Sequence, residues 1–161
     1  MKEKEIQDPY KTVFNNIEEL EGFIGKELGL TGWNEMDQER INKFADVTED
    51  LQWIHIDEER SKKESPYKQT IAHGFLMLSL SSKIMFDCYE IKNTSMAINY
   101  GLDKVRFPSA TISGSRFRGR VSLQEYLKIP KGAKYKLQIV IELEGSEKPA
   151  CVADCLALVY R

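Results

Sequence analysis

The stretch "IAHGFLMLSLSSKIMF", Ile71 to Phe86, constrains this chain more than any other. Read as a helix from Gly74 to Phe86, it carries Phe, Leu, Met and Ile on every side, interrupted only by serines and Lys83. A helix that is apolar all round has to be covered all round, so the rest of the chain must supply a layer that wraps it. Gly74, at its start, has no side chain to keep other groups away from the first turn.

The C-terminal half reads as that layer. "SMAINYGLDKVRF" is a strand that stops at Pro108. "GSRFRGRVSLQEYL" alternates Phe117, Gly119, Val121 and Leu123 with Arg116, Arg118, Arg120 and Ser122. "KYKLQIVIELEG" alternates Leu137, Ile139, Ile141 and Leu143 with mostly polar partners. "ACVADCLALVYR" is apolar on both faces for most of its length, as a central strand is. One buried helix followed by long alternating strands predicts an α+β fold: a curved antiparallel sheet wrapped around a long central helix.

The N-terminal half is less regular. Residues 1–15 are charged and are expected to be loosely held. "NIEELEGFIGKELG" predicts a short helix ended by a glycine, followed by an extended piece around Trp33. "MDQERINKFADVTED" predicts a second helix with Asp37 as N-cap and an apolar stripe of Ile41, Phe44, Ala45 and Val47. Glu49 to Thr70 is polar and irregular, with short helical potential in "DEERSKK", and a loop of that length is usually functional or disordered.

The 161 residues suffice for a single domain spanning 1–161. A net charge of −2 gives no ground for a nucleic-acid or membrane-surface partner. No apolar run approaches the roughly 20 residues of a membrane helix, and "MKEKEIQDPYKTVF" lacks a signal-peptide core, so a cytoplasmic protein is expected. Cys88, Cys151 and Cys155 have no metal-type spacing. On one strand Cys151 and Cys155 lie about 13 Å apart, too far for a disulfide, so reduced core thiols are expected.

Chemistry concentrates in "TEDLQWIHID", where Asp50 and His55 stand five positions apart. That spacing does not share a helical face, but a turn can aim both side chains at one point. An imidazole that exchanges protons near neutral pH and a carboxylate that accepts one can together hold and activate a water. Solvated loop residues, or an aspartate that forms a turn, are the bland alternative. The backbone N–H groups that open the helix at Gly74 lack intrahelical partners and suit a carbonyl gaining negative charge. Acid, imidazole and oxyanion donor are the parts needed to add water across a double bond conjugated to a carbonyl, or to remove it.

"FADVTEDLQWIHID" followed by "TIAHGFLMLSLSS" resembles the MaoC-like, (R)-specific enoyl-CoA hydratase family, in particular its nodulation protein N-like branch. The resemblance covers roughly residues 33–161. The family motif runs aromatic-Ala, then Ser/Thr-Gly-Asp-x-Asn-Pro-x-His, then a helix-opening His-Gly. It implies a hot-dog fold, an acyl-CoA or related thioester as substrate, and no metal or redox cofactor, CoA entering as part of the substrate. It also implies a homodimer or a higher assembly of it. Carried over by position, it makes Asp50 and His55 catalytic, Gly74 the oxyanion donor and Ser82 a supporting serine.

Three positions depart from the motif: Glu49 replaces Gly, Gln52 replaces Asn and keeps the amide, and Trp53 replaces Pro. Trp53 either narrows the acyl pocket or packs. His73 is expected to pin the loop before the helix. Arg106, at a strand end beside Pro108, is the first candidate for CoA phosphates, ahead of Arg116, Arg118 and Arg120, whose alternation more often marks a solvated face. Tyr67 and Tyr100 are candidate pocket residues.

Two other functions compete. A hot-dog thioesterase or acyl-carrier-protein dehydratase typically has an acid on the central helix, and Phe75 to Phe86 contains none, Asp87 coming at the end. A non-catalytic acyl-thioester-binding module of the nodulation protein N type is the other, with Glu49 as the feature that favours it.

Overall fold

A computed structural model describes residues 7–161. Residues 1–6, part of the segment expected to be loosely held, lie outside the described residues. The rest of that segment departs from the expectation. Tyr10–Phe14 is a strand, β1, held by backbone pairing on both sides, antiparallel to β2 (Glu27–Leu30) and parallel to β4 (Tyr89–Ile91).

The short helix expected in "NIEELEGFIGKELG" is present as a 3-10 helix, Ile17–Phe23. Asn16 caps it by accepting from the Glu19 N–H, and the chain reverses at Gly25, whose φ of 80° favours glycine. Beyond it Leu28, Gly29 and Leu30 are buried in the sheet as part of β2, which pairs with β6. β3 (Asn34–Met36) follows Trp33 and also pairs with β6.

The helix α1 (Gln38–Thr48) starts where Asp37 accepts from the Arg40 N–H at 2.8 Å. Ile41 and Ala45 are buried and Phe44 partly so, but Val47 is 84% exposed, so the apolar stripe stops one turn early. Two short helices, α2 (Trp53–Ile56) and α3 (Glu58–Glu64), organise the segment read as irregular. Asp57 caps α3 by accepting from the Arg60 N–H at 2.9 Å, a start that an acid three residues ahead of that amide makes legible.

The central helix is two helices, α4 (Gly74–Ser79) and α5 (Ser81–Cys88), joined at Leu80. Leu76, Met77, Ile84 and Cys88 are buried, whereas Phe75 and Phe86 are 71% and 72% exposed. All-round burial is therefore not met within one chain, because a curved sheet covers only one side of a helix.

That sheet has the order β4-β1-β2-β6-β7-β8-β5, with β5 Met96–Arg106, β6 Ser115–Ile129, β7 Gly132–Leu143 and β8 Cys151–Tyr160. All of its pairings except β1–β4 are antiparallel. This is the α+β sheet-around-helix arrangement that the sequence predicts. β8 lies between β7 and β5, as its two apolar faces require. Burial pushes the Cys88 thiol up to about 12 and those of Cys151 and Cys155 up to about 11, so all three free thiols are inert core groups. Among the described residues no helix is long and apolar enough to cross a membrane.

Helix α5 sits very close to the sheet at two glycines. A methyl group on Gly29 would overlap the Cys88 carbonyl, and one on Gly119 would overlap the Ile84 side chain. This contact fixes the height of α4–α5 above the strands, and with it the position of Gly74.

At the end of α1, Glu49 has φ 59° and ψ 18°, in the left-handed region. The motif has glycine here because this helix terminus requires positive φ, which costs a side-chain-bearing residue roughly 1–2 kcal/mol. Glu49→Gly should therefore stabilise the fold by about 0.5–1 kcal/mol after glycine's extra unfolded-state entropy is subtracted. A chain of this size should then gain roughly 2 °C in Tm, measured by thermal unfolding. An unchanged or lower Tm would show that the carboxylate makes a compensating contact.

Candidate functional site

Asp50 leaves the left-handed end of α1, and His55 lies on α2 facing inward, only 6% exposed. The sequence that follows returns to the same place as Ile71, Ala72 and His73 immediately before α4. Backbone bonds lock the return: Ile71 N–H donates to Ile54 O at 3.0 Å, and Ala72 N–H to Thr111 O at 2.7 Å. Asp50, His55 and His73 thereby come together, each with a side-chain ligand atom within 4.8 Å of the others.

The two imidazoles stack, with ring centroids 3.7 Å apart and planes inclined by 26°. His55 Nδ1 lies 2.6 Å from the Ile71 carbonyl, which only accepts, so Nδ1 carries the proton and Nε2 keeps its lone pair. Burial lowers the His55 pKa below the ordinary 6.5, helped by the neighbouring His73 and opposed by the Ile71 carbonyl and Asp50. His55 is thus a neutral imidazole at pH 7 with a free acceptor nitrogen.

His73, 2% exposed, donates from Nε2 to the backbone carbonyl of Asp50 at 3.0 Å, and the same nitrogen lies 4.0 Å from the Asp50 carboxylate. It ties the loop before the helix to Asp50 and lies against the His55 ring. Its Nδ1 is buried without a partner. The Asp50 carboxylate is about half exposed and is the part of this cluster open to solvent.

The cluster has the composition of a metal site, but not the geometry. A ligating histidine points an in-plane lone pair at an ion about 2.0–2.1 Å away. Rings stacked at 3.7 Å send their lone pairs side by side rather than to one point, and His55 Nδ1 is committed to Ile71. Stacked rings suit a proton-handling pair better than a chelate.

Gly74 is the first residue of α4, so its N–H has no intrahelical partner. A methyl group at Gly74 would come within 3.1 Å of the Phe107 ring, which closes over this end of the helix. Arg106, next to Phe107, is exposed, and among the described residues its side chain donates only to its neighbour's carbonyl, Val105 O at 2.7 Å.

The other candidates lie elsewhere or serve differently. The Gln52 side chain is exposed and makes no cap bond, and its backbone carbonyl accepts from the His55 N–H at 2.9 Å. Trp53 packs, with the Arg60 guanidinium 4.3 Å over its ring. Ser82 lies on α5, eight positions beyond Gly74, and accepts from Asn99 Nδ2 at 3.1 Å. Arg116 and Arg118 pair with Glu144 and Glu142 at 2.8 and 2.7 Å, and Arg120 with Glu142 and Glu27. That face is an ion-pair ladder under Trp33, so its guanidinium groups are already occupied. Tyr67 is exposed, and Tyr100 lies on β5.

Gln38 was not legible from sequence. Its amide donates to His55 O at 2.7 Å and accepts from the Thr70 hydroxyl, clamping α2 to the returning strand. A glutamine in the first turn of a helix gives no such signal. Phe107 was equally hidden, because its contact with Gly74 joins positions far apart in sequence.

A model of the family described as MaoC like domain matches residues 19–142. The chain is 41% identical over 144 residues to 3-hydroxyacyl-thioester dehydratase Z of Mycobacterium tuberculosis (strain ATCC 25618 / H37Rv), covering 89% of this chain and 95% of that protein. It is 43% identical over 140 residues to Nodulation protein N of Rhizobium leguminosarum bv. viciae, covering 84% and 86%. Among solved structures, the unliganded R-hydratase PhaJ1 from Pseudomonas aeruginosa superposes with a TM-score of 0.66 at 19% identity, over 80% of this chain and 77% of that one. The fold is the hot-dog fold, and the chain belongs to the MaoC-like domain family.

Proposed function

We propose that this chain adds water reversibly to trans-2-enoyl-CoA, giving (R)-3-hydroxyacyl-CoA. The coarser statement, a hydro-lyase of the dehydratase and hydratase type that acts on enoyl thioesters, rests on the family and on the 41% identical dehydratase. The observation that carries the finer reading is His55, buried and neutral with a free Nε2, beside the Asp50 carboxylate.

In this reading a water donates one hydrogen to His55 Nε2 and the other to Asp50. Asp50 takes a proton as the water oxygen bonds to C3, and the π electrons move onto the thioester oxygen. The Gly74 N–H stabilises that oxygen. The proton then passes from the Asp50–His55 pair to C2, which restores both groups and completes the addition. No step calls for a metal or redox cofactor. Arg106 is the candidate contact for a CoA phosphate.

A second reading, an acyl-thioester-binding module without turnover, is favoured by the likeness to Nodulation protein N and by the strained Glu49. Crotonyl-CoA separates the two. The enzyme bleaches the enoyl-thioester absorbance, whereas the module binds acyl-CoA without turning it over at any chain length.

If Asp50 and His55 share one water, their losses should not add. Asp50→Asn and His55→Ala should each lower crotonyl-CoA hydration roughly 10²–10⁴-fold, and the double variant should fall little further. Activity intact in Asp50→Asn would overturn the assigned chemistry.

The pH dependence follows from His55. Its folded pKa is depressed, so the folded state binds fewer protons than the unfolded chain between that value and 6.5. Its contribution to stability is complete above pH 6.5 and is lost as pH falls toward the folded value. Log kcat/KM should accordingly stay flat down through pH 6.5 and bend only below it. A bend above 6.5 that His55→Ala abolishes would contradict a buried neutral imidazole.

A homodimer is part of the proposal. β5 is a sheet edge whose Met96, Ile98, Tyr100 and Leu102 are exposed, and Phe75 and Phe86 lie open on the central helices. Sedimentation at micromolar concentration should give twice the 18.6 kDa chain mass or more, and a monomer would refute it.

A further inference from the structure

The helix that carries His55, α2, is a single turn, Trp53–Ile56, and a turn that short has no stability of its own. Its place is set by whatever takes its closing carbonyls, which the turn itself leaves without partners. Trp53 O accepts from the Asp57 N–H at 2.9 Å, and Ile54 O accepts from the Ile71 N–H at 3.0 Å. His55 O accepts instead from a side chain, the Gln38 amide, at 2.7 Å. Gln38 is the first residue of α1, 17 positions away.

That amide is fully committed. His55 O can only accept, so the NH2 end faces it, and the other hydrogen goes to Asn42 Oδ1 at 2.8 Å. The amide oxygen accepts from the hydroxyl of Thr70, a residue 2% exposed. The next residue, Ile71, takes the His55 ring at Nδ1 with its carbonyl. Thr70 and Ile71 therefore grip His55 at both ends, the ring directly and the backbone carbonyl through Gln38. The helix that starts at Gln38 also closes at Glu49, immediately before Asp50. One helix thus carries the clamp on the imidazole at its first residue and leads into the carboxylate at its end.

We infer that Gln38 is a positioning residue for the reaction: by capping α2 from another helix it keeps the His55 ring on the Ile71 carbonyl, and so keeps Nε2 the free nitrogen of the Asp50–His55 pair. This deepens the reaction proposed at Asp50 and His55 and rests on it. Gln38 acts through His55, because its hydrogen bonds go to the His55 carbonyl, Asn42 and Thr70 rather than to either ring or to the Asp50 carboxylate. Without the amide, α2 tilts about the two backbone bonds that remain, and the ring leaves the Ile71 carbonyl part of the time. The position of the ring proton is set by that bond, so a loosened ring also adopts the other tautomer. With its proton on Nε2, the imidazole cannot accept from a water there.

The chain has two histidines, so labelling histidine with 15N gives two rings to follow by NMR, and His55→Ala assigns them. In the wild type at neutral pH the His55 ring should read as the Nδ1–H tautomer. Gln38→Met keeps the length and removes all three side-chain bonds. Gln38→Glu keeps the length and an acceptor for Thr70 but turns an oxygen toward His55 O, and it serves if the first variant fails to fold. In either, the His55 ring should become a mixture of tautomers, and kcat for crotonyl-CoA should fall roughly 10- to 100-fold with KM unchanged. A purely structural loss lowers the folded fraction but leaves the tautomer of the folded molecules as it is. An unchanged tautomer therefore overturns the inference whatever happens to kcat, and so does a mixed tautomer with wild-type kcat. If the wild type hydrates no enoyl-CoA, the reaction reading fails, and the clamp on His55 then stands or falls on the tautomer alone.

Discussion

The close seating of α5 on β2 and β6 is the contact on which the rest of the molecule depends. Gly29 and Gly119 leave no side chain between sheet and helix, so the Cys88 backbone and the Ile84 side chain rest directly on the strands. Larger residues at either position would lift the helix, and α4 with it. Gly74 would then leave the ring of Phe107, and the His73 that precedes it would lose its register with Asp50 and His55. The site is thus set by a packing distance on the far side of the helix from the chemistry.

The site itself is held by backbone carbonyls rather than by side-chain partners. Ile71 O fixes the His55 tautomer, Asp50 O takes the His73 N–H, and His55 O takes the Gln38 amide. Carbonyls of a folded chain do not titrate, so the imidazoles keep their orientation whatever the protonation state of the exposed carboxylate. A neutral, oriented base beside a solvent-facing acid is the condition for holding a water before substrate arrives.

Strong, local signals were legible in the sequence. The alternation of β6 and β7, the two-faced apolar β8, and the cap at Asp37 all correspond to observed elements. What failed depended on distant neighbours. The helix read as buried on all sides exposes Phe75 and Phe86, since a periodic pattern reports that a face is apolar but not whether the covering layer belongs to the same chain. For the site, the chain's two histidines and the order of the motif marked Asp50, His55, His73 and Gly74. Gln38 and Phe107 were invisible because their roles arise only when distant segments meet.

The departures at Gln52 and Trp53 make physical sense once their positions in α2 are known. Gln52 is the N-cap and Trp53 the first helical residue. Proline suits that first position because its missing N–H would have had no partner there anyway, and its fixed φ starts the turn. Trp53 gives up that preorganisation, and the Arg60 guanidinium stacked over its ring holds the same end of α2 from the next helix. At position 52 the group in use is the backbone carbonyl that accepts from His55, which any residue supplies. Two of the three motif changes therefore fall where the backbone, not the side chain, aims the imidazole. Only Glu49 falls where the replaced residue was required for its conformation, and there the chain accepts a left-handed residue rather than move Asp50.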